Sequence, residues 1–300
     1  MQRMIWRKIA HIALTRAGKR RSCGRASSWG GSIMLRMAFA LALSTCLATP
    51  LAAASVEDLP IKSSVMGRGE TVIFVHGWTC DETAWDAQVE YFSENYRVVT
   101  LDLPGHGISA SPAKEDFSMD LFAAAVEAVR NEVGADKVVL VGHSMGGAVI
   151  RQYAVNYPDH VAGLVAVDGP LDMRTMAGVN FGELTLEQRG QFVDSMFVEG
   201  TSEELRAEIR GVMLSAPADT AHGAMNAMLD PSLQTDDVIA APALTVLAGQ
   251  TNFPIDDSQR EVLTDWQHTS VPGTGHFLMM EKPDEFNALL ESFLTERAQF

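Results

Sequence analysis

Apolar positions along the chain fall into short unbroken runs separated by stretches of helical spacing. Thr71–Val75, Arg97–Leu101, residues 137–141, Val161–Val167 and Ala243–Ala248 are strand-length runs rich in β-branched residues. Continuous rather than alternating hydrophobicity predicts strands buried on both faces. Between them, residues 81–95 place Ala84, Trp85, Gln88, Val89 and Phe92 at helical spacing, and residues 122–133 form an Ala-rich helical stretch closed by Gly134. A further helix runs to about Tyr157 and stops at Pro158, and Pro283–Glu296 is amphipathic. Strand alternating with helix predicts an α/β fold, a mostly parallel sheet with helices on both faces. Sites in such sheets lie at the carboxyl ends of the strands. His76, Asp102, Gly142 to Ser144, Asp168 and Gly249 all fall at such ends.

Between residues 171 and 240 the rhythm changes to helical segments without a convincing strand. Thr185-Leu186-Glu187-Gln188 and Thr201-Ser202-Glu203-Glu204 both read as capping boxes. Met173, Met176, Met196, Met213, Met225 and Met228 are concentrated here. They fit two uses, ordinary core filling or an adaptable apolar wall over a site. The division expected is therefore a leader at 1–54, a core at 55–170 and 241–300, and an inserted helical cap at 171–240.

The strongest chemical signal lies where the third run meets its helix, in Gly142-His143-Ser144-Met145-Gly146-Gly147. A Gly-x-Ser-x-Gly turn between strand and helix is tight enough that a Cβ at either outer glycine would crowd the backbone. It lifts the serine hydroxyl clear of the sheet and aims the next N–H, that of Met145, at a developing oxyanion. The bland alternative is a merely structural turn. A serine hydroxyl needs an adjacent base. Among the eight histidines, His143 is locked in the turn, while His76 and His106 belong to glycine turns that they would brace. His160, His222 and His268 lack a motif. His276, in Pro272-Gly273-Thr274-Gly275-His276-Phe277, follows the last strand and precedes the closing helix, which makes it the expected base.

Phe74-Val75-His76-Gly77-Trp78, Leu101-Asp102-Leu103-Pro104-Gly105-His106-Gly107-Ile108-Ser109, the serine turn and Gly275-His276-Phe277 occur in that order. Together they resemble the α/β-hydrolase family from about Thr71 to the C-terminus. The set is specific for the fold and much less so for the substrate. The resemblance implies that residues 171–240 occupy the place where relatives carry a cap. It also implies that the backbone N–H of Trp78 is the second oxyanion donor beside Met145, with the Trp78 side chain lining the pocket. The chain departs from the family at the acid. The usual Gly-x-x-Asp after the 244–248 strand is here Gly249-Gln250-Thr251-Asn252. Three readings follow: Asp168 after the preceding strand, Asp256 or Asp257 displaced along the loop, or Asn252 as a weak orienter. Asp168 is the leading one, with a strand-end cap as its alternative role.

The N-terminal residues change the charge picture. Residues 1–36 hold nine Lys or Arg and no acid, and an apolar run from Met37 ends in Ala52-Ala53-Ala54-Ser55. That is the pattern of a secretory signal peptide, which implies a periplasmic or secreted protein. Thr45, Pro50 and the short length argue against a transmembrane anchor. Met34 is an alternative start to Met1, and Cys46 a poor lipoprotein site. Removing the nine leader cations from 23 leaves 14 against 38 acidic residues, a net charge of −24. Such an acidic body makes nucleic acid an improbable partner. Of three cysteines only Cys80 lies beyond the leader, so no intramolecular disulfide is available. Cys80 reads as a small buried hydrophobe rather than a nucleophile.

The function expected from these residues is that of an exported serine hydrolase. It would cleave small to medium carboxylic esters with an apolar part, through an acyl-enzyme on Ser144. His276 would be the base and Asp168 its orienter. No metal-ligand spacing and no phosphate loop appear, so no cofactor is implied. Lactone, amide or carbon–carbon cleavage and cofactor-free perhydrolysis use the same machinery. By resemblance, a nucleophile-position Asp would imply a dehalogenase or epoxide hydrolase, which Ser144 excludes. A binding protein that keeps the fold without activity is the reading from a different class, and the amide at Asn252 is the feature that favours it. The sequence leaves the oligomeric state open.

Overall fold

The computed structural model describes residues 59–300. The leader at 1–54, the alternative start at Met34, and Cys23 and Cys46 lie outside the described residues. Seven strands form one sheet: β1 (Ser63–Gly67), β2 (Thr71–Val75), β3 (Arg97–Leu101), β4 (Val138–His143), β5 (Val161–Val167), β6 (Ala243–Ala248) and β7 (Trp266–Val271). Their order is β1-β3-β2-β4-β5-β6-β7, with β1 antiparallel to β3 and every other pair parallel. The helices are α1 (Asp86–Phe92), α2 (Met119–Glu132), α3 (Met145–Asn156), α4 (Leu186–Asp194), α5 (Glu203–Ser215), α6 (Ala218–Met228), α7 (Leu278–Glu281) and α8 (Pro283–Glu296). This is the α/β architecture that the apolar runs predict.

All residues of β2, β4, β5 and β6 are buried, because each strand lies between helices on both faces. The two strands that the hydrophobic pattern does not predict are the edge strands. β1 is largely exposed, and β7 buries only its terminal Trp266 and Val271 among polar residues. An edge strand with one solvated face carries no continuous apolar run. Local chemistry sets the helix starts. Ser118 caps α2 by accepting from the Leu121 N–H, and Pro283 opens α8 where no N–H is needed. The helix expected over 81–95 divides into a 3-10 turn at Glu82–Trp85, capped by Asp81, and then α1.

Residues 171–240 hold α4, α5, α6 and short 3-10 turns, and no strand is found there among the described residues. The box at Thr185 is present in both directions with Gln188. The box at Thr201 is not. Ser202 is the N-cap of α5, accepting from Leu205 N–H, and the Thr201 hydroxyl is used elsewhere.

In-register pairing positions the site. Val75 lies opposite Gly142, and His143 opposite Val167. The residues that follow, His76, Ser144 and Asp168, therefore leave three neighbouring central strands at their carboxyl ends, with strands about 4.8 Å apart.

Candidate active site

β4 passes into α3 through Ser144, whose backbone sits at φ 52° and ψ −116°. Glycine surrounds it for steric reasons. A Cβ at Gly142 would stand 2.2 Å from the Gly146 carbonyl oxygen, one at Gly146 2.3 Å from the Val75 oxygen, and one at Gly169 2.4 Å from the Ser144 oxygen. The turn is held by the Ser144 N–H donating to Val167 O at 2.9 Å and Gly147 N–H donating to Ser144 O at 2.9 Å. Ser144 is thus fastened to both β5 and its own helix.

Three non-glycine residues have positive φ among the described residues: Thr79 (57°), Ser144 (52°) and Asp168 (41°). Each such residue costs on the order of 1–3 kcal/mol, and the surrounding structure must over-determine it. Here they belong to the loop after β2, the turn after β4 and the end of β5. These are the segments that converge on one cavity through Gly77, Trp78, Cys80, Ser144 and Asp168.

Asp168 is 2 % exposed. Its Oδ1 accepts from Ala248 N–H at 3.0 Å, and its Oδ2 accepts from His276 Nδ1 at 2.6 Å. Both carboxylate oxygens are therefore held, one by the neighbouring strand β6 and one by the imidazole. The other acid candidates have different partners. Asp256 caps the turn Asp257–Glu261 through Ser258 N–H, and Asp257 is fully exposed, 3.7 Å from Arg260. Asn252 lines the cavity.

Two contacts around His276 carry no signal in the sequence. His143 Nε2 donates to the His276 carbonyl oxygen at 2.9 Å, so the residue before the nucleophile braces the peptide of the base. Phe253 stacks on the His276 ring, centroids 6.2 Å apart and planes 26° from parallel. Burial favours the neutral form of the buried histidines. His76 donates from Nδ1 to Gly77 O at 2.8 Å and accepts at Nε2 from Leu103 N–H at 2.9 Å, so both nitrogens of the neutral ring are engaged. Burial lowers its pKa, lowers that of His143 well below the usual value, and brings that of His106 to about 3. These rings brace loops, as the glycine turns suggest.

The loop after β2 lies directly against the nucleophile, since a Cβ at Gly77 would stand 3.2 Å from the Ser144 Cβ. The backbone N–H groups of Trp78 and Met145 thus belong to the two segments flanking Ser144. The Trp78 indole does two things. It lines the cavity, and its Nε1 donates to Ala221 O of α6 at 2.8 Å, tying this loop to the overlying helices.

The cavity has a volume of about 230 Å³ and takes in Ser144, His276 and Asp168. Met176, Met196, Met213, Met225 and Met228 all line it, so five of the six methionines named from the sequence form its wall; the sixth, Met173, is buried elsewhere. Its lining contains no Lys or Arg. Cys80 also lines it, but burial pushes its thiol far up, away from the thiolate a nucleophile needs. Among the described residues, no group of His, Cys, Asp or Glu is placed to hold a metal ion, and no helix is long and apolar enough to cross a membrane.

Comparison with known proteins gives this geometry a context. A dihydrolipoyllysine-residue acetyltransferase component of the acetoin cleaving system from Cupriavidus necator is 30% identical over 273 residues, covering 80% of this chain and 68% of that protein. An (E)-2-((N-methylformamido)methylene)succinate hydrolase from Acinetobacter baylyi is 28% identical over 247 residues, covering 76% of this chain and 91% of the other. A thermophilic esterase from Thermogutta terrifontis superposes with a TM-score of 0.67 at 25% identity, covering 78% of this chain and 92% of that one. The likenesses to the hydrolase and the esterase support hydrolase activity. The alpha/beta hydrolase family model matches residues 72–289, and the chain belongs to that family.

Proposed function

We propose that the protein is an exported serine hydrolase of small to medium neutral carboxylic esters, working through an acyl-enzyme on Ser144. The observation that carries this reading is that a strained Ser144 lines one cavity with His276, whose Nδ1 is bonded to buried Asp168 at 2.6 Å. With its proton on Nδ1, the imidazole leaves Nε2 free of a proton and able to accept one. Ser144 Oγ attacks the ester carbonyl as His276 Nε2 takes its proton. Negative charge develops on the carbonyl oxygen, and the N–H groups of Met145 and Trp78 stabilise it. The alcohol departs with the proton from His276. Water, activated by the same imidazole, then releases the acid. Asp168 keeps the ring in the productive tautomer and stabilises the imidazolium. The cap at 171–240 supplies the methionine wall, which suits an apolar acyl or alkoxy group. A lining without Lys or Arg disfavours an anionic substrate.

Labelling with a fluorophosphonate, together with turnover of p-nitrophenyl esters of increasing chain length, tests the reading. Lactones, amides and an epoxide stand beside them in the panel. Labelling on Ser144 and turnover of the esters are expected. An unlabelled protein would instead be a binding module. Turnover confined to amides or epoxides would remove the ester assignment.

A further inference from the structure

The loop that carries His276 touches the cap through one carboxylate. Glu281, at the end of α7, accepts from Gly275 N–H at Oε2 (2.6 Å) and from the Thr201 hydroxyl at Oε1 (3.0 Å). Gly275 immediately precedes the base, and Thr201 immediately precedes Ser202, the N-cap of the cap helix α5. A second link runs alongside, with His276 N–H donating to Met196 O at 2.9 Å. The two segments are in intimate contact. A Cβ at Gly275 would stand 2.6 Å from Met196 O, 3.0 Å from Glu281 Oε1 and 3.3 Å from Val198 N.

The cap side of this contact is itself stiff. The Thr201 hydroxyl accepts from Val198 N–H at 3.1 Å, and Arg206 donates to the Thr201 carbonyl at 2.9 Å and to the Val198 carbonyl. The Arg206 guanidinium also lies 5.2 Å from the Phe197 ring centre. On the other side, the His276 carbonyl is held by His143 Nε2 at 2.9 Å. The peptide of the base is therefore fastened at its N–H by the cap and at its C=O by the nucleophile turn.

We propose that Glu281 is a positioning residue that makes the placement of His276 depend on the seated cap segment 196–201. The proposal rests on the reading of His276 as the base. Gly275 has no side chain to steady its peptide. A charged acceptor on its N–H makes a stronger bond than a neutral one, and the same carboxylate spans to Thr201. When Met196 and Thr201 are in place, the His276 peptide has its full set of partners. When the cap segment lifts, the loop loses the bond to Met196 and half of the Glu281 bridge. Substrate enclosure and a correctly aimed imidazole then arise together. A displacement of about 1 Å at the base is enough to cost about 10²-fold in rate.

The test uses three variants of the full chain, Glu281→Ala, Glu281→Gln and Thr201→Val. The readouts are kcat per phosphonate-titrated site, KM, folded fraction by circular dichroism, and the His276 Nδ1 proton resonance. Glu281→Ala is expected to lower kcat per titrated site by about 10²-fold with KM little changed, and to shift or broaden the Nδ1 resonance. Glu281→Gln keeps an acceptor for Gly275 and is expected to recover most of the rate. Thr201→Val cuts only the cap link, and is expected to lower kcat less than Glu281→Ala while moving the same resonance. If Glu281→Ala does not fold, Glu281→Gln and Thr201→Val carry the comparison. An unmoved resonance in every folded variant overturns the proposal, as does a rate loss that merely follows the folded fraction. The resonance reports on the base with no substrate present, so a protein that turns over no ester would sink the proposed function while this measurement still decides the role of Glu281.

Discussion

His276 Nδ1 and Asp168 Oδ2 are 2.6 Å apart although their residues are 108 positions apart in the chain. The Ala248 N–H occupies the other oxygen of the carboxylate, so the acid can turn in only one way toward the ring. A carboxylate acceptor demands the proton on Nδ1, whereas an amide in its place can present an N–H and stabilise the wrong tautomer. Asp168→Asn is therefore expected to keep the fold and lose about 10⁴-fold in kcat. Asp256→Asn and Asp257→Asn, remote from the imidazole, are expected to change it less than about 10-fold. Asn252→Asp is expected to add little, because His276 already has its acceptor. A large loss at Asp256 or Asp257 with Asp168→Asn near the wild-type rate would move the acid.

Ser144 stands at φ 52° and ψ −116°, where a side chain is disfavoured and glycine is not. Removing the hydroxyl abolishes the proposed nucleophile in either Ser144→Ala or Ser144→Gly, and phosphonate labelling should vanish from both. The two should differ in stability. Glycine relieves the strain at some cost in chain entropy, so Ser144→Gly is expected to exceed Ser144→Ala by about 1 kcal/mol. Urea unfolding measures the difference. A less stable glycine variant would mean that the turn is not strained, and label that survives on Ser144→Ala and follows Cys80 would remove the serine assignment.

His106 is 1 % exposed, and burial and its neighbour His76 lower its pKa from 6.5 to about 3. The unfolded chain takes up a proton at this residue below pH 6.5, and the folded chain does not until about pH 3. Its contribution is therefore complete above pH 6.5 and is lost as pH falls between those values. Between pH 7 and pH 5 this amounts to about 2 kcal/mol. His106→Gln should lose correspondingly less stability across that interval in denaturant unfolding. An equal loss in wild type and variant would show that His106 takes up no extra proton on unfolding.

The basic N-terminal stretch and Ala52-Ala53-Ala54 lead us to propose export with cleavage near Ser55. Mass spectrometry of the protein purified from its native source is expected to find a mature N-terminus there. Recovery of residues 1–50 intact would defeat the proposal.

Several parts of this protein were determined by the sequence alone, because their physical causes are local. The runs in β2, β4, β5 and β6 are short, mostly apolar and bounded by turn residues, which suits interior strands of a covered sheet. The serine turn was legible because its glycines answer to clashes within a few residues of one another, as the 2.2 Å approach of a Gly142 Cβ to Gly146 shows. His276 stood out by its glycine turn and its place in chain order.

Tertiary structure decided what depends on neighbours distant in the chain. The solvated edge strands β1 and β7 take their partners, not a buried face, as their reason to exist. Thr201 satisfied the local pattern of a helix cap, yet its hydroxyl went to Glu281, 80 residues away. The methionines had two equally local readings until the fold turned five of them onto one cavity. The acid is the sharpest case. Asp168, Asp256, Asp257 and Asn252 all follow strands or begin turns, so the sequence could rank Asp168 first without fixing it. Asp168 reaches the imidazole because β5 lies between β4 and β6, so that its end stands beside the serine turn while β6 holds the second carboxylate oxygen. Strand order is a property of the assembled sheet, and no short window of residues contains it.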